Sequence, residues 1–232
     1  MLRQGLLDLG LSPTEEQLQQ LLTYCAMLLE QNKVMNLTAI TAPTEVIKLH
    51  FIDSAALLAQ VPMAGQSLID VGTGAGFPGL VLKILEPSLR LTLLDSLGKR
   101  VNWLSSVCDA LALSDVRCIH GRGEEAAHDE AFRESFDFAT ARAVARLPLL
   151  CELCLPYVRV GGKFLAMKSE HSQEEISQSL SIAAALGGGA PKAADYTLPL
   201  SAVPRRLVVF PKTGETPASY PRKWSKMKGS EQ

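Results

Sequence analysis

Residues 67–79, SLIDVGTGAGFPG, constrain the fold of this chain more than any other stretch. Leu68, Ile69 and Val71 form a short apolar run of the kind found in buried parallel strands. The run stops at Gly72, and two further glycines follow at alternate positions. Without side chains they let the backbone turn tightly and let another molecule approach its amides. A strand followed by such a turn predicts a binding site for a nucleoside.

The residues after the turn extend this unit into a second strand. Pro78 suits the first turn of a helix, because the amide hydrogen that it lacks would have no partner there. Leu91–Leu94 then reads as a strand that ends at Asp95. Asp95 follows Gly72 in the sequence at a spacing close to the roughly 20 residues expected between a glycine turn and a ribose-binding carboxylate. Asp95 is therefore a candidate acceptor for both ribose hydroxyls.

Three interpretations of the glycine turn remain open at this point. Gly74–Gly79 is a literal G-x-G-x-x-G, which fits the nicotinamide dinucleotide of an NAD(P)-dependent dehydrogenase. Asp70 turns the same stretch into D-x-G-x-G-x-G, the form used by S-adenosylmethionine-dependent methyltransferases. The register of Asp70 favours the methyltransferase. A glycine loop that only turns the chain is the third interpretation.

Composition indicates one α/β domain with an appendage, since the chain has 232 residues, of which 47% are hydrophobic and 20% charged. No apolar run approaches the roughly 20 residues that span a bilayer, and the N-terminus lacks the apolar core of a signal peptide. We therefore expect a cytoplasmic protein. Its five cysteines are expected to be free thiols. Cys151 and Cys154 lie in an apolar helical pattern without a second pair spaced for zinc, so we expect them to be buried and expect no metal.

Strands and helices alternate along the chain, which predicts a mostly parallel sheet. Helices are predicted at 14–31, 44–60 and 147–157, and strands at 67–71, 91–94, 116–119, 136–140, 163–167, 196–200 and 206–210. The loop that contains Gly123 and Glu124 follows the third strand and is expected to flank an adenine. His50, Asp53 and Ser54 lie on one predicted helix, where parallel side chains cannot form a nucleophilic triad.

Because the net charge is only −1, the chain has no overall field that attracts nucleic acid, and any such binding must use local patches. Residues 222–228 carry four positive charges and a tryptophan, a composition suited to phosphates and a stacked base. A frayed, solvated tail is the alternative. The run also leaves open a non-enzymatic RNA-binding module with a vestigial cofactor site.

Five motifs in chain order resemble the RsmG family, bacterial 16S ribosomal RNA guanine-N7 methyltransferases also called glucose-inhibited division protein B. The motifs are Asn36–Ile40, His50–Ser54, Asp70–Gly79, Leu94–Arg100 and Ala141–Ala145. The resemblance continues through Gly161–Lys168 and Leu207–Val209 and covers nearly the whole chain. Two departures are the tail after Lys223, and Arg206, which stands where the family commonly has a histidine.

The resemblance implies a class I S-adenosylmethionine-dependent methyltransferase fold, which is Rossmann-like with a seven-stranded, mostly parallel sheet. It implies a helical N-terminal region at 1–62, a methyltransferase core at 63–213 and a basic tail at 214–232. The implied cofactor is S-adenosyl-L-methionine, and the implied partner is 16S rRNA in the small ribosomal subunit, methylated at one guanine. We expect the enzyme to act as a monomer.

The resemblance also assigns roles to particular residues. Those expected to contact the cofactor are Gly72, Gly74, Gly76, Phe77, Asp95, Gly123, Glu124 and Arg142. Gly72 and Phe77 would line the methionine and nucleoside end, Asp95 the ribose, and Gly123 with Glu124 the adenine side. Arg142 would lie at the cofactor rim facing the guanine and is the catalytic candidate. Because guanine N7 has a lone pair and no proton, the implied reaction needs alignment more than a general base.

Overall fold

One seven-stranded sheet organises the protein, for which a computed structural model describes residues 1–228. The strand order is β3-β2-β1-β4-β5-β7-β6, with β1 to β5 parallel and with β7 antiparallel to both β5 and β6. The strands are β1 (Ser67–Val71), β2 (Arg90–Asp95), β3 (Val116–His120), β4 (Phe136–Arg142), β5 (Val158–Lys168), β6 (Lys192–Thr197) and β7 (Pro204–Pro211). The predicted α/β fold is confirmed.

Ten α-helices are assigned within residues 1–228, four of them before the first strand. They are α1 (Leu2–Asp8), α2 (Glu15–Met35), α3 (Pro43–Val46), α4 (Asp53–Gln60), α5 (Gly79–Leu85), α6 (Gly98–Ala110), α7 (Gly123–Ala126), α8 (Leu147–Cys154), α9 (Gln173–Ala185) and α10 (Trp224–Lys228). A π-helical segment, Ile47–Ile52, joins α3 to α4, and a 3₁₀ turn, Leu155–Tyr157, follows α8. No helix in this part of the chain has the length and apolar character needed to cross a membrane.

The local sequence explains the best-defined helix ends. Thr14 and Gln17 form a capping box at the start of α2, with the Gln17 amide donating to Thr14 Oγ1 at 3.2 Å and the Thr14 amide donating to Gln17 Oε1 at 2.9 Å. The helix ends at Met35 and is capped by Asn36, whose φ of 50° is left-handed. It therefore runs four residues past the predicted end.

Both faces of the sheet are covered, because alternate strand residues belong to different apolar clusters. Leu68 of β1 packs with the N-terminal helices, whereas Ile69 and Val71 pack with α8. The N-terminal helices thus share a core with the sheet. The division of the chain at residue 62 stays a prediction. Cys151 and Cys154 are buried free thiols, as expected.

Several predicted elements are wrong in their bounds, among them β5, which begins at Val158 and not at residue 163. The strand expected at 196–200 is β6, Lys192–Thr197, while Leu200 lies in the following turn with φ of 66°. Most of β6 is exposed at the sheet edge, so no apolar run marks it. The helix expected at 147–157 ends at Cys154 and continues only as a 3₁₀ turn, since Pro156 has no amide hydrogen to donate.

Candidate active site

Asp70, which closes β1, fixes the glycine turn. Its Oδ2 accepts hydrogen bonds from Thr73 Oγ1 at 2.7 Å and from the Gly79 amide at 2.9 Å. Asp70 is fully buried, and no described residue bonds its Oδ1. Burial raises the pKa of Asp70 to about 6, against the lowering effect of the two hydrogen bonds. Through its two hydrogen bonds, Asp70 connects the glycine turn to the first residue of α5.

The three glycines of the turn all have left-handed φ angles, 69° at Gly72, 60° at Gly74 and 96° at Gly76. Their surroundings differ. A Cβ at Gly72 would lie 2.9 Å from Val144 Cγ2, and one at Gly76 would lie 2.6 Å from Leu80 Cδ1. At Gly74 the nearest atom would be 4.0 Å away. Gly76 thus faces the core, whereas Gly72 faces the cleft described next.

A cleft with an empty volume of about 520 Å³, which we call the glycine cleft, opens beyond β1 and β2. The structure brings four of the predicted residues together as its lining, namely Gly72, Asp95, Gly123 and Glu124. Trp224, which was predicted only as part of the basic run, lines it as well.

Asp95 presents a nearly buried carboxylate to the glycine cleft, with 4% of the residue exposed. Its Oδ2 accepts from the Gly74 amide and its Oδ1 from the Leu97 amide, both at 2.9 Å. Arg100 Nη1 lies 3.7 Å from Oδ2. Each carboxylate oxygen can accept a further bond, so Asp95 can receive two hydroxyl donors from a ligand. Gly74 contributes to this arrangement through its backbone amide, which donates to Asp95.

Arg142, at the end of β4, lies in a second cleft and is held by several contacts. Its Nη1 donates to Asp53 Oδ2 at 3.1 Å and to the Leu49 carbonyl at 3.3 Å, and its Nη2 donates to His50 Nδ1 at 3.1 Å. Arg205 Nε donates to the other oxygen of Asp53 at 3.0 Å. Asp53 is 4% exposed. One buried carboxylate therefore orients two guanidinium groups.

The rings of Phe77 and His50 pack against Arg142. The His50 ring stacks on the Phe77 ring with centroids 4.6 Å apart, and Arg142 Cζ lies 5.0 Å from the Phe77 centroid. Since arginine can only donate, His50 Nδ1 accepts and His50 Nε2 carries the proton toward Thr38 Oγ1, 2.8 Å away. Burial and the charge of Arg142 lower the pKa of His50 to about 4. His50 is therefore neutral at physiological pH.

The second cleft, which we call the arginine cleft, has an empty volume of about 970 Å³ and is lined by Arg142, Arg205, His50 and Lys168 among others. It adjoins the glycine cleft. Ala143 lines the arginine cleft and has a left-handed φ of 56°, and its neighbour Val144 lines the glycine cleft. The turn at Ala143 thus directs consecutive side chains into two different clefts.

Several residues around the clefts were not assigned from the sequence. Tyr24 of α2 is fully buried, donates a hydrogen bond to the Ala75 carbonyl and packs near Phe77. The sequence marks it only as part of a helix. Asp53 and His50 were considered but not assigned, and Arg205 carried no signal. Ser54 Oγ is buried with no partner among residues 1–228, which confirms that a triad is not formed.

Comparison with known proteins identifies the family of the chain. The family model GidB, described as rRNA small subunit methyltransferase G, matches residues 17–190. A protein of Alkaliphilus metalliredigens named "Ribosomal RNA small subunit methyltransferase G" is 48% identical over 224 residues, 96% of this chain and 94% of the relative. A protein of the same name from Lachnoclostridium phytofermentans is 46% identical over 220 residues, 94% and 91% of the two chains.

Solved structures support the fold alone. The methyltransferase in the structure titled "Complex between the Haloferax volcanii Trm112 methyltransferase activator and the putative methyltransferase" is 16% identical, with a TM-score of 0.56 over 74% of this chain and 93% of that one. A methyltransferase from Pyrococcus furiosus is 13% identical, with a TM-score of 0.56 over 87% of this chain and 100% of that one. Because the family model and both named relatives cover most of its length, the chain belongs to the rRNA small subunit methyltransferase G family.

Proposed function

We propose that this protein transfers a methyl group from S-adenosylmethionine to N7 of a guanine in 16S ribosomal RNA. The observation that carries the proposal is the pair of adjoining clefts, one with a carboxylate suited to a ribose and the other with an immobilised guanidinium. The family assignment supports a ribosomal RNA substrate. It gives no support to a dehydrogenase or to a vestigial RNA-binding module. Because the proposed substrate is ribosomal RNA, we expect the enzyme to act in the cytoplasm, and we expect it to act as a monomer.

The glycine cleft fits the cofactor in the chemistry of its lining. A ribose diol supplies two hydroxyl donors, and Asp95 offers two acceptor oxygens held in place by backbone amides. A side chain at Gly72 would enter the space beside Val144. Gly72, Asp95, Gly123 and Glu124 would hold the cofactor. When bound, it would supply a methyl group made electrophilic by the attached sulfonium.

The arginine cleft fits a nucleophile that needs no general base. Guanine N7 carries a lone pair in the plane of the ring and no proton. The one histidine of the cleft is neutral, and Arg142 and Thr38 already occupy both of its nitrogens. Guanidinium groups pair well with guanine O6. Arg142 would orient the guanine through O6. The carboxylate of Asp53 would offset the positive charge of Arg142 as the guanine ring itself becomes cationic.

The decisive experiment measures methyl transfer from labelled S-adenosylmethionine to small subunits purified from cells that lack this gene. The modified base is then identified by mass spectrometry. We expect N7-methylguanine from the wild type, a raised KM for the cofactor with Asp95→Asn, and a lowered kcat with Arg142→Ala. Asp109→Asn, at an exposed position of α6, is the matched control and should behave as the wild type. Transfer to another atom or no transfer at all would refute the proposal.

A further inference from the structure

Trp224 lies at the glycine cleft although it is far in sequence from the other lining residues. It shares the cleft with Gly123 and Glu124, the loop expected to flank an adenine. It also lines a second hollow with Glu124, His128 and Pro221. The half-buried indole therefore lies between the glycine cleft and this outer hollow.

The chain before Trp224 is anchored to the enzyme by buried polar contacts. Glu152 of α8 is 1% exposed, and it accepts from the Arg222 amide at 2.7 Å, from Arg222 Nε at 2.9 Å and from Arg222 Nη2 at 2.7 Å. Arg133 donates to the Tyr220 carbonyl at 2.9 Å and to the Thr216 carbonyl at 2.8 Å. These contacts fix the path of the backbone that leads to Trp224.

The chain after Trp224 is anchored as well. Met227 is 1% exposed and belongs to the apolar cluster on the α8 side of the sheet. The chain before Trp224 has one more such contact, since His128 Nε2 donates to the Pro221 carbonyl at 2.9 Å. A frayed, solvated tail, the alternative interpretation of the basic run, is therefore not what the structure shows for residues 216–227, which we call the C-terminal strap. Arg222, one of the basic residues expected to face RNA, bonds within the protein.

We propose that the C-terminal strap is a cofactor-binding element and that the Trp224 indole forms a wall of the adenine pocket. The inference rests on the proposed use of S-adenosylmethionine. A purine offers a broad apolar face, and stacking on an aromatic side chain stabilises a bound base. Asp95 would fix the ribose, and Glu124 could accept from the adenine amino group. Trp224 would cover the face that these polar groups leave open.

The test is calorimetric titration of the full chain with S-adenosylhomocysteine, without RNA. Trp224→Ala should raise the Kd about tenfold, as expected for the loss of a stacked base. Trp224→Phe keeps an aromatic face and should retain most of the affinity. Leu22→Ala changes an exposed apolar side chain of α2 that does not line the glycine cleft, and it should bind as the wild type. Adenosine alone should show the same loss with Trp224→Ala, because the indole would meet only the nucleoside.

Tryptophan fluorescence provides a readout that a structural role would not produce. The chain has two tryptophans, and Trp103 is buried in the cluster on the other side of the sheet. Fluorescence should change on ligand binding in the wild type, and the change should disappear in Trp224→Phe. Unchanged affinity in Trp224→Ala would overturn the inference and leave the proposed methyl transfer standing. If the wild type bound no S-adenosylhomocysteine, the cofactor assignment would fail together with it.

Discussion

Asp53 is the residue on which the geometry of the arginine cleft depends most. It bonds both Arg142 and Arg205 and does so from a buried position. Asp53→Asn replaces one acceptor oxygen by an amino group that faces a guanidinium donor. Since misplacing a catalytic group by about 1 Å costs on the order of 100-fold in rate, we expect kcat for methyl transfer to fall by about 100-fold. The Kd for S-adenosylhomocysteine should change little, because Asp53 does not line the glycine cleft.

A second aspartate provides the control for this prediction. Asp195 also accepts from an arginine, Arg206, but its side chain is 61% exposed. Asp195→Asn should leave kcat and cofactor affinity unchanged. If Asp53→Asn instead weakened cofactor binding at constant kcat, Asp53 would not act through Arg142.

Two glycines of the same turn should respond differently to alanine. Both need left-handed φ angles, which cost about 1–2 kcal/mol for a residue with a side chain. A Cβ at Gly74 meets open space, whereas one at Gly76 would clash with Leu80 and with Tyr24. Overpacking a core adds about 1–3 kcal/mol. Gly76→Ala should therefore lower the free energy of unfolding by more than Gly74→Ala, as measured by urea denaturation. If the two variants lost the same free energy of unfolding, the side chains around Tyr24 would be able to shift and accommodate the added Cβ.

The sequence carries information about only some residues of the site. Gly72, Asp95 and Glu124 follow the ends of parallel strands, and such ends meet at one edge of a sheet, so their convergence could be predicted. Arg205 and Trp224 come from distant parts of the chain, and no spacing rule relates them to Asp53 or to the cleft. Their positions depend on how β7 and the C-terminal strap pack, which local pattern does not encode.

At the scale of single elements, the C-terminal strap should depend on the ion pair between Arg222 and Glu152. Arg222→Leu would leave the buried Glu152 carboxylate without this partner. Breaking a buried ion pair costs about 3–5 kcal/mol. Because Arg222 is partly exposed, we expect Arg222→Leu to lower the free energy of unfolding by an amount near the lower end of this range. Arg206→Leu breaks a comparable pair with an exposed partner and should leave the unfolding midpoint nearly unchanged. Similar losses in the two variants, measured by urea denaturation, would contradict this reasoning.

The helix before the first strand shows what apolar periodicity leaves out. The pattern predicted one helix over 44–60, and the chain is indeed helical there, but Ile47–Ile52 is π-helical. Hydrogen-bond register leaves little trace in the spacing of apolar residues, and π segments often occur at functional sites. This segment contains His50 and is followed at once by Asp53, and both contact Arg142. The sequence could indicate the helix but not the register that brings these two side chains to one guanidinium.

At the scale of the whole molecule, the partly buried His50 and the fully buried Asp70 should titrate with opposite effects on stability. The pKa of His50 is lowered to about 4, so its contribution is present above pH 6.5 and is lost as the pH falls toward 4. The pKa of Asp70 is raised to about 6, so its contribution is present below pH 3.8 and is lost as the pH rises through 6. Between pH 4 and about 6 the two slopes should nearly cancel in the wild type.

His50→Gln should uncover the effect of Asp70. Relative to the wild type, its free energy of unfolding should fall by about 1.4 kcal/mol per unit as the pH rises through this window. Urea denaturation at several pH values between 4 and 6 measures the difference. Parallel curves for the two proteins would show that His50 does not titrate as its surroundings indicate.

The lining of the glycine cleft extends along the chain from Val71 to Trp224, and this has a consequence for the lifetime of the protein. A ligand that needs all of these residues together binds the folded chain and not its unfolded or partly unfolded forms. At 100 times its Kd, such a ligand adds about 2.7 kcal/mol to the free energy of unfolding. Resistance to proteolysis should therefore rise with the concentration of S-adenosylmethionine. A shortage of methyl donor would then reduce not only the rate of methylation but also the amount of enzyme that survives.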